Sequence, residues 1–482
     1  MRYSYLIKTI KFLLYLVPFT LVIVYQGSIF PFIVGKYVFF RTVLEIALVL
    51  FVWAWATGRF SFENGFAFKQ MKDGAVEPSI TPMQFISSPL VLAVGLFVFI
   101  FLLATLFGIN PSASFWSNYE RGEGSLQVLL LFVFFFLLVT LFRDYASWRR
   151  MFLVSIWAAL AVIAYGLFGN AHIDNFISVS SADASFLNSF CYRFAGSLGN
   201  PAYLGTYMIF AVFFALYLFF TTKVSRRSRW LFFALALLFT LFLVVSQTRG
   251  ALLGLALAFF SAMIYLAILL PRGLSKKIVI VLILISAIGG PLAIAYRHDI
   301  NFLPFCPAEA GGGNRILDIS TDAETYQTRL ILWSQSIEAF KERPILGWGP
   351  ENFSTAFEKY YDTRHIAWFD RAHNIFFDYL VFAGILGLAS FLAIFFVFYR
   401  AFFKMRKKLD EVKEQFRKDE KNIPHNRELY VQALIFSLPI AYLVQGLVLF
   451  DVLPIYINIF LFLAFANYTL MRLSHSTYER HS

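Results

Sequence analysis

The chain has 482 residues, of which 59% are hydrophobic and 15% are charged, and its mean hydropathy is +0.68. Soluble domains are nearer half apolar and a quarter charged, so this composition excludes an ordinary soluble protein and indicates a chain surrounded mostly by lipid. The formal charge of +12 does not indicate nucleic-acid binding, because membrane topology accounts for where the basic residues fall. Two cysteines without a CxxC pair exclude a thiolate zinc site and a dense disulfide framework.

Twelve apolar segments are long enough to cross a bilayer core about 30 Å thick. They lie at residues 12–29, 38–57, 89–107, 125–142, 151–168, 202–221, 230–246, 251–270, 278–296, 374–399, 431–449 and 454–471. The sequence therefore predicts an all-α integral membrane protein with about twelve transmembrane helices. Alternate connections, such as Lys223–Arg229 and Arg272–Lys277, are densely basic, and the positive-inside rule then predicts that both termini are cytoplasmic.

The segments form one predicted polytopic domain, residues 1–482, with two long connections. The inner connection, 400–430, alternates positive and negative residues and predicts a solvated helix that serves as a charged cytoplasmic connector. The outer connection, 297–372, mixes aromatic and charged residues with helical patterns. A loop of this size with its own helices is more often a functional cover than a tether, so we expect it to be an extracytoplasmic lid.

Two helices are predicted within the lid. Thr321 and Glu324 form a capping box that opens a helix ending near Glu342, and Pro350 can occupy the first turn of a second helix that reaches about Tyr361. Four apolar residues of the first helix are predicted to share one face: Leu330, Trp333, Ile337 and Phe340. We expect this face to pack on the bundle or to lie at the membrane interface.

Cationic side chains gather in segments that the topology brings to the outer face. They are Arg121, Arg193, Arg249, Arg329 and Arg371, together with His373. A single arginine at a helix end often reaches lipid headgroups, and a lone histidine there is often satisfied by a neighbour. Several together under a lid favour a diphosphate site, because guanidinium groups stay charged and donate paired hydrogen bonds. A histidine can accept a proton from an attacking hydroxyl, and the outer segments show no carboxylate pair of the DxD type used by metal-dependent glycosyltransferases, so we predict neither metal nor cofactor.

Cys191 and Cys306 both fall in predicted outer loops. A disulfide between them would join the 169–201 loop to the lid in an oxidising compartment. The alternative is a pair of free thiols.

Four stretches resemble the O-antigen ligase and O-antigen polymerase superfamily of bacterial polytopic membrane glycan transferases. They are RFAGSLGNPAYLG (193–205), SQTRGALLG (246–254), TRLILWSQSIEAFKERPILGWGPENF (328–353) and RAHNIFFDYLVFAGILGL (371–388). The segment SFWSNYERGEG (114–124) is similar to an outer loop of the same group. One departure is that the family often has Asn-Pro-Asn where this chain has Asn200-Pro201-Ala202.

The resemblance implies a fold similar to GT-C-like lipid-linked glycan transferases and a site on the outer face of the bacterial cytoplasmic membrane. Such enzymes move a glycan from undecaprenyl diphosphate to an acceptor hydroxyl, without a metal and with inversion. Carried over by motif, Arg249 and Arg329 hold the diphosphate, Arg193 assists and His373 is the base. Arg371 and Arg121 are further candidates.

The acceptor stays open, because the superfamily includes ligases acting on a lipid core, polymerases acting on a second lipid-linked glycan, and transferases acting on Ser or Thr of proteins. We favour the hypothesis that the protein is an O-antigen ligase. A transporter or flippase without covalent chemistry is the alternative from another class, and a scaffold for envelope assembly is a third.

Overall fold

A computed structural model of the chain describes residues 2–62, 81–168, 193–222, 226–296, 324–364, 368–415 and 426–475. Cys191, Cys306 and Thr321 lie outside these ranges, so the proposed disulfide and the capping box stay predictions. The described residues form these α-helices: α1 (Arg2–Leu16), α2 (Val34–Ala56), α3 (Pro82–Ile86), α4 (Pro89–Leu106), α5 (Pro111–Trp116), α6 (Ser125–Leu141), α7 (Tyr145–Phe168), α8 (Pro201–Thr221), α9 (Arg226–Val245), α10 (Arg249–Leu269), α11 (Leu274–Ala295), α12 (Glu324–Glu342), α13 (Phe353–Lys359), α14 (Ile375–Gln415), α15 (Asn426–Gly446) and α16 (Leu453–His475).

The predicted polytopic architecture is confirmed. Eleven helical segments of the described residues are long and apolar enough to cross a membrane, and α6 is a shorter apolar helix at the position of the fourth predicted segment. Each of the twelve predicted segments therefore coincides with a helix. Several helices begin before the apolar core of their segment, as α7 does at Tyr145 and α9 at Arg226, because polar residues at a membrane boundary continue the helix into the interface.

The first segment differs from its predicted bounds of 12–29. The α-helix ends at Leu16 and continues as a 3₁₀ helix over Val17–Val22, which has proline at its start. Proline has no N–H to donate to the preceding turn, so it ends the α-helical bonding. The chain then turns back, and the Tyr25 N–H donates to the carbonyl oxygen of Pro31 at 2.9 Å.

Three pairs of helices pack as antiparallel neighbours: α10 lies along α15, α8 along α9, and α4 along α14. Helices α6 and α16 also lie along each other but run parallel, since both begin at the same end, where the Leu453 N–H donates to Glu123. Helix α16 is enclosed on nearly all sides, whereas α11 is exposed along most of its length. In a membrane the exposed apolar side chains of α11 face lipid. Because lipid tails are as apolar as these side chains, their exposure has no hydrophobic free-energy cost.

The lid helices lie close to their predicted positions, with two differences. Helix α13 begins at Phe353 and not near Pro350, because Glu351 has a left-handed backbone conformation with φ 64° that cannot start a helix. The buried residues of α12 are Leu332, Gln335, Ser336 and Ala339. Of the face predicted from the sequence, Leu330 and Ile337 are exposed and Trp333 and Phe340 are half-buried. The small side chains of Ser336 and Ala339 allow this side of α12 to pack closely on the rest of the protein. The helix is therefore rotated from the orientation that hydrophobicity alone predicts.

Candidate functional site

Five segments come together at one end of the bundle, which we call the site end. They are residues 107–124, 193–200, 246–250, 343–374 and 447–452. All the cationic residues singled out in the sequence lie in these segments, except Arg329, which lies on α12 beside them.

The loop between α12 and α13 is bonded to a break in α14. Gly384 interrupts α14 with φ 63° and ψ −160°, a conformation essentially restricted to glycine. The break frees the carbonyl oxygen of Val381, which accepts a hydrogen bond of 2.7 Å from the Trp348 N–H. In the other direction, the Ile385 N–H donates to the Pro344 carbonyl oxygen at 2.8 Å. The loop therefore satisfies backbone groups that a broken membrane helix would otherwise leave unpaired.

The connection between α4 and α6 packs against the same loop. The Ile109 N–H donates to the Trp348 carbonyl oxygen at 2.9 Å, and the Ser114 hydroxyl donates to that of Pro350 at 2.8 Å. The Asn352 side-chain amide in turn donates to the Ser114 oxygen at 2.8 Å. Ser114 and Asn352 are both buried, so these bonds hold the SFWSNYERGEG segment firmly against the lid.

Two arginines at the site end are engaged in ion pairs. Arg121 donates two hydrogen bonds to the carboxylate of Asp370, at 2.7 and 2.9 Å. The Arg371 guanidinium lies 2.5 Å from Glu351 and 3.7 Å from Glu123. The Arg371 and Glu351 side chains are only 5% and 3% exposed, and buried charges are tolerated only when they are paired. The pairs therefore fix segments 107–124 and 343–374 relative to one another.

Burial and pairing shift the pKa values of this network. Burial lowers the pKa of Arg371, but the charges of Glu351 and Asp370 outweigh it and raise that pKa overall. Burial raises the pKa of Glu123 to about 7, against the opposing charges of Arg371 and Arg121. Burial also raises the pKa of Asp370, but the hydrogen bonds from Arg121 outweigh it and lower that pKa overall. Both arginines therefore stay charged at neutral pH.

His373 lies between two aromatic rings. The centroids of Phe369 and Phe450 are 5.5 and 5.0 Å from that of the imidazole, and both rings meet it edge-on. The backbone of His373 is left-handed, with φ 54°. Its Nδ1 lies 3.3 Å from the Arg371 carbonyl oxygen, so an Nδ1–H directed at this carbonyl leaves Nε2 as the proton acceptor.

The imidazole of His373 is neutral at pH 7. Burial lowers its pKa below the ordinary value of 6.5, and the positive charges of Arg329 and Arg121 lower it further. The Arg371 carbonyl and the charge of Asp370 act in the opposite direction without reversing the shift. A neutral imidazole can serve as a general base.

Helices α10 and α12 bring two further cations to the site end. Arg249 is the first residue of α10, and Arg329 lies on α12. One turn along α12, the Trp333 indole N–H donates to the Ala372 carbonyl oxygen at 3.0 Å, which fixes this helix beside His373. Burial lowers the pKa of Arg329, and the charge of Arg249 lowers it further. The two guanidinium groups are therefore close enough to repel, and a bound anion would relieve that repulsion.

Arg193 lies in the turn before α8, with φ 64°. The N–H of the next residue, Phe194, donates to the Val245 carbonyl oxygen at 3.3 Å. Val245 is the last residue of α9, immediately before the SQTRG turn. The structure thus places the backbone of Arg193 beside the turn that carries Arg249.

Left-handed backbone conformations are concentrated at the site end. The non-glycine residues of the described chain with positive φ are Ser117, Arg193, Gln247, Glu351 and His373. All of them lie in the connecting segments 107–124, 193–200, 246–250 and 343–374. Such conformations cost about 1–3 kcal/mol each and persist where the surrounding structure determines them, typically at functional sites.

A small cavity lies behind Arg371 and is lined in part by Asp378, Asp451 and Tyr456. Its volume of about 10 Å³ has room for about one water molecule. The Asp378 carboxylate accepts a hydrogen bond of 2.7 Å from the Ala372 N–H, and the Asp451 carboxylate accepts one from the Tyr442 hydroxyl. Among the described residues, no group of three or more His, Cys, Asp or Glu side chains is placed to hold a metal ion.

Comparison with known proteins supports the resemblance. A family model described as O-antigen ligase matches residues 233–392, which contain Arg249, Arg329 and His373. The exopolysaccharide production protein ExoQ of Rhizobium meliloti (strain 1021) is 29% identical over 263 residues, which is 52% of this chain. The chain spans about half, 53%, of that relative's length. Residues 233–392 are thus similar to the O-antigen ligase family, and this similarity together with the apolar helices indicates a membrane-embedded protein.

The sequence analysis identified the cations of the site end but missed the carboxylates that pair with them. The sequence gives only weak indications that Glu123, Glu351 and Asp370 belong to the site. Each is a charged residue in a connection between apolar segments. The aromatic contact from Phe450 had no signal, because phenylalanine is abundant throughout the chain, with 60 copies. The predicted roles of Arg193, Arg249, Arg329 and His373 stay predictions and enter the proposal below.

Proposed function

We propose that this protein is an O-antigen ligase-like glycosyltransferase that moves a glycan from undecaprenyl diphosphate to an acceptor hydroxyl. The observation that carries the proposal is the position of Arg329 on α12, which is bonded through Trp333 to the residue before His373. The charge of Arg249 lowers the pKa of Arg329, and the charge of Arg329 lowers that of the neutral His373 imidazole. Guanidinium pairs fit a diphosphate, and a neutral imidazole fits a hydroxyl that must lose a proton. The placement of the site at the extracytoplasmic face of the cytoplasmic membrane belongs to the same proposal.

The proposed reaction balances without a metal or cofactor. The Nε2 of His373 takes the proton of the acceptor hydroxyl, whose oxygen attacks the anomeric carbon of the donor sugar. The bond from that carbon to the diphosphate oxygen breaks on the opposite face, which inverts the anomeric centre. Arg249 and Arg329 stabilise the charge that develops on the departing diphosphate, and Arg193 assists from the neighbouring turn.

Arg371 and Arg121 have a positioning role in this proposal. Both are held by carboxylates, Arg371 by Glu351 and Arg121 by Asp370, so their charges are balanced within the protein. Arg371 also presents its carbonyl oxygen to the imidazole of His373. The pairs thereby set the orientation of the base.

The relative favours a second candidate for the acceptor. Its name assigns it to exopolysaccharide production, and a polymer forms when the acceptor is itself a lipid-linked glycan. The polymerase therefore stands beside the ligase and the protein O-oligosaccharyltransferase. The break in α14 at Gly384 does not favour a transporter, because the lid backbone fills it instead of a cavity.

The test is transfer by purified protein in lipid, using radiolabelled undecaprenyl-diphosphate oligosaccharide with and without candidate acceptors. His373→Ala and Arg249→Ala should each reduce transfer at least about 100-fold, the usual contribution of a general base or of a charge-stabilising donor. Arg364→Ala is the matched control, because the Arg364 side chain is 71% exposed and forms an ion pair with the nearby Asp362. Full activity of both site variants would refute the proposal, and a ladder of products would identify a polymerase.

A further inference from the structure

Gln445 is a buried side chain whose hydrogen-bonding groups are unmet. It lies one residue before the end of α15, at the site end, and is 2% exposed. Neither Oε1 nor Nε2 has a hydrogen-bond partner among the residues that the structure describes. Buried amides in proteins are normally bonded, so the unmet pair indicates a group that the described residues do not supply.

Close packing of α15 on α10 places Gln445 beside Arg249. The two helices are antiparallel, with Gly250 opposite Gln445 and Gly254 opposite Ala441. A Cβ on Gly254 would lie 2.7 Å from the Ala441 carbonyl oxygen, so glycine is required for this approach. The Gln445 Oε1 occupies the space that a Cβ on Gly250 would take. The amide therefore lies against the residue that follows Arg249.

The other neighbour of Gln445 is the segment that carries His373. Two residues beyond Gln445, the Leu447 carbonyl oxygen accepts a hydrogen bond of 3.0 Å from the Asn374 side chain. A Cβ on the intervening Gly446 would overlap the Ile375 side chain. The Gln445 amide thus lies against the residue that follows Arg249, and the two residues that follow Gln445 pack on the segment that carries His373.

The first turn of α10 has no side-chain cap. Its cap residue, Thr248, makes no side-chain bond to the helix, because the Thr248 hydroxyl donates to the Pro201 carbonyl oxygen at 3.1 Å. The N–H groups at the start of an α-helix have no partner within the helix and attract anions. A phosphoryl group held there and by Arg249 would put the sugar attached to it beside Gln445.

The chemistry of the amide selects the ligand. A diphosphate at neutral pH only accepts hydrogen bonds, so it would satisfy Nε2 and leave Oε1 unmet. A sugar hydroxyl or acetamido group both donates and accepts, which matches the two unmet atoms. We propose that Gln445 binds the sugar that is bonded directly to the diphosphate of the donor and thereby helps to select that sugar. This inference rests on the proposed function.

The test compares binding of three lipids to the full-length protein in nanodiscs: undecaprenyl diphosphate, and the same lipid carrying one N-acetylglucosamine or one galactose. Gln445→Met should weaken binding of at least one sugar-bearing lipid about fivefold to tenfold and leave the sugar-free carrier unchanged. Gln432→Met is the matched control, since Gln432 is equally buried on α15 but already accepts the Tyr265 hydroxyl at 2.8 Å. It should change no affinity.

The other outcomes each refute a different statement. Equal weakening of all three lipids would place Gln445 at the phosphates, and unchanged affinities would mean that a trapped water satisfies the amide. Either result, or equal binding of all three lipids by the wild type, overturns the sugar subsite. Arg249→Ala should weaken all three lipids, and its failure to do so would instead refute the diphosphate site on which the proposed function rests.

Discussion

Replacing Gly384 with alanine should strongly destabilise the site end. The residue has φ 63° and ψ −160°, where an alanine pays about 1–3 kcal/mol of backbone strain. A Cβ at this position would lie 2.7 Å from the Pro344 carbonyl oxygen and closer still to the backbone of Ile345. Because backbone atoms cannot rotate away, this overpacking adds about 1–3 kcal/mol. The two terms together should lower the free energy of unfolding by about 2–6 kcal/mol. Movement of the lid loop away from α14 would relieve this strain.

The measurement is thermal unfolding in detergent, followed by tryptophan fluorescence, together with glycan transfer at a permissive temperature. Gly289→Ala on α11 is the matched control, since a Cβ there meets no atom within 4 Å and alanine favours a helix by about 1 kcal/mol. Gly384→Ala should lower the melting temperature and the transfer rate, whereas Gly289→Ala should leave the rate unchanged and melt no earlier than the wild type. Wild-type melting and transfer by Gly384→Ala would refute the argument that the lid loop is held by the break in α14.

Two further predictions concern charge. Arg371→Met should destabilise the protein by about 3–5 kcal/mol, because it leaves the buried Glu351 and Glu123 without their counter-charge, and an unchanged melting temperature would contradict that. Transfer should fall as the pH drops through the pKa of His373, which burial holds below 6.5, so the acid limb of the rate profile should lie below that pH. Arg329→Gln should move this limb upward, since it removes a positive charge that lowers the pKa, and a limb that stays in place would refute the assignment of His373 as the base.

The order of the helices could be read from the sequence because lipid imposes a simple rule. A helix that crosses the bilayer needs about 20 apolar residues, and the twelve predicted segments each coincide with a helix of the structure. Local signals also placed α12 and the turn that follows it, because proline and glycine act on backbone geometry whatever surrounds them. The predicted bounds of the first segment were wrong for a reason that is also local. Pro18 interrupts the α-helical hydrogen bonding, although the apolar residues continue beyond it.

The sequence by itself also determined which groups can take part in chemistry, because arginine, histidine and the RAHN and SQTRG stretches are visible without any fold. Only the tertiary structure decided their roles. Arg121 and Arg329 look alike in the sequence, yet one is paired with Asp370 and the other has its pKa lowered by burial and by Arg249. Gln445 carried no signal at all, because an amide becomes informative only when its surroundings leave it without a partner. Pairing and burial depend on which segments are in contact. Helix packing determines these contacts, and it joins segments that are hundreds of residues apart in the sequence.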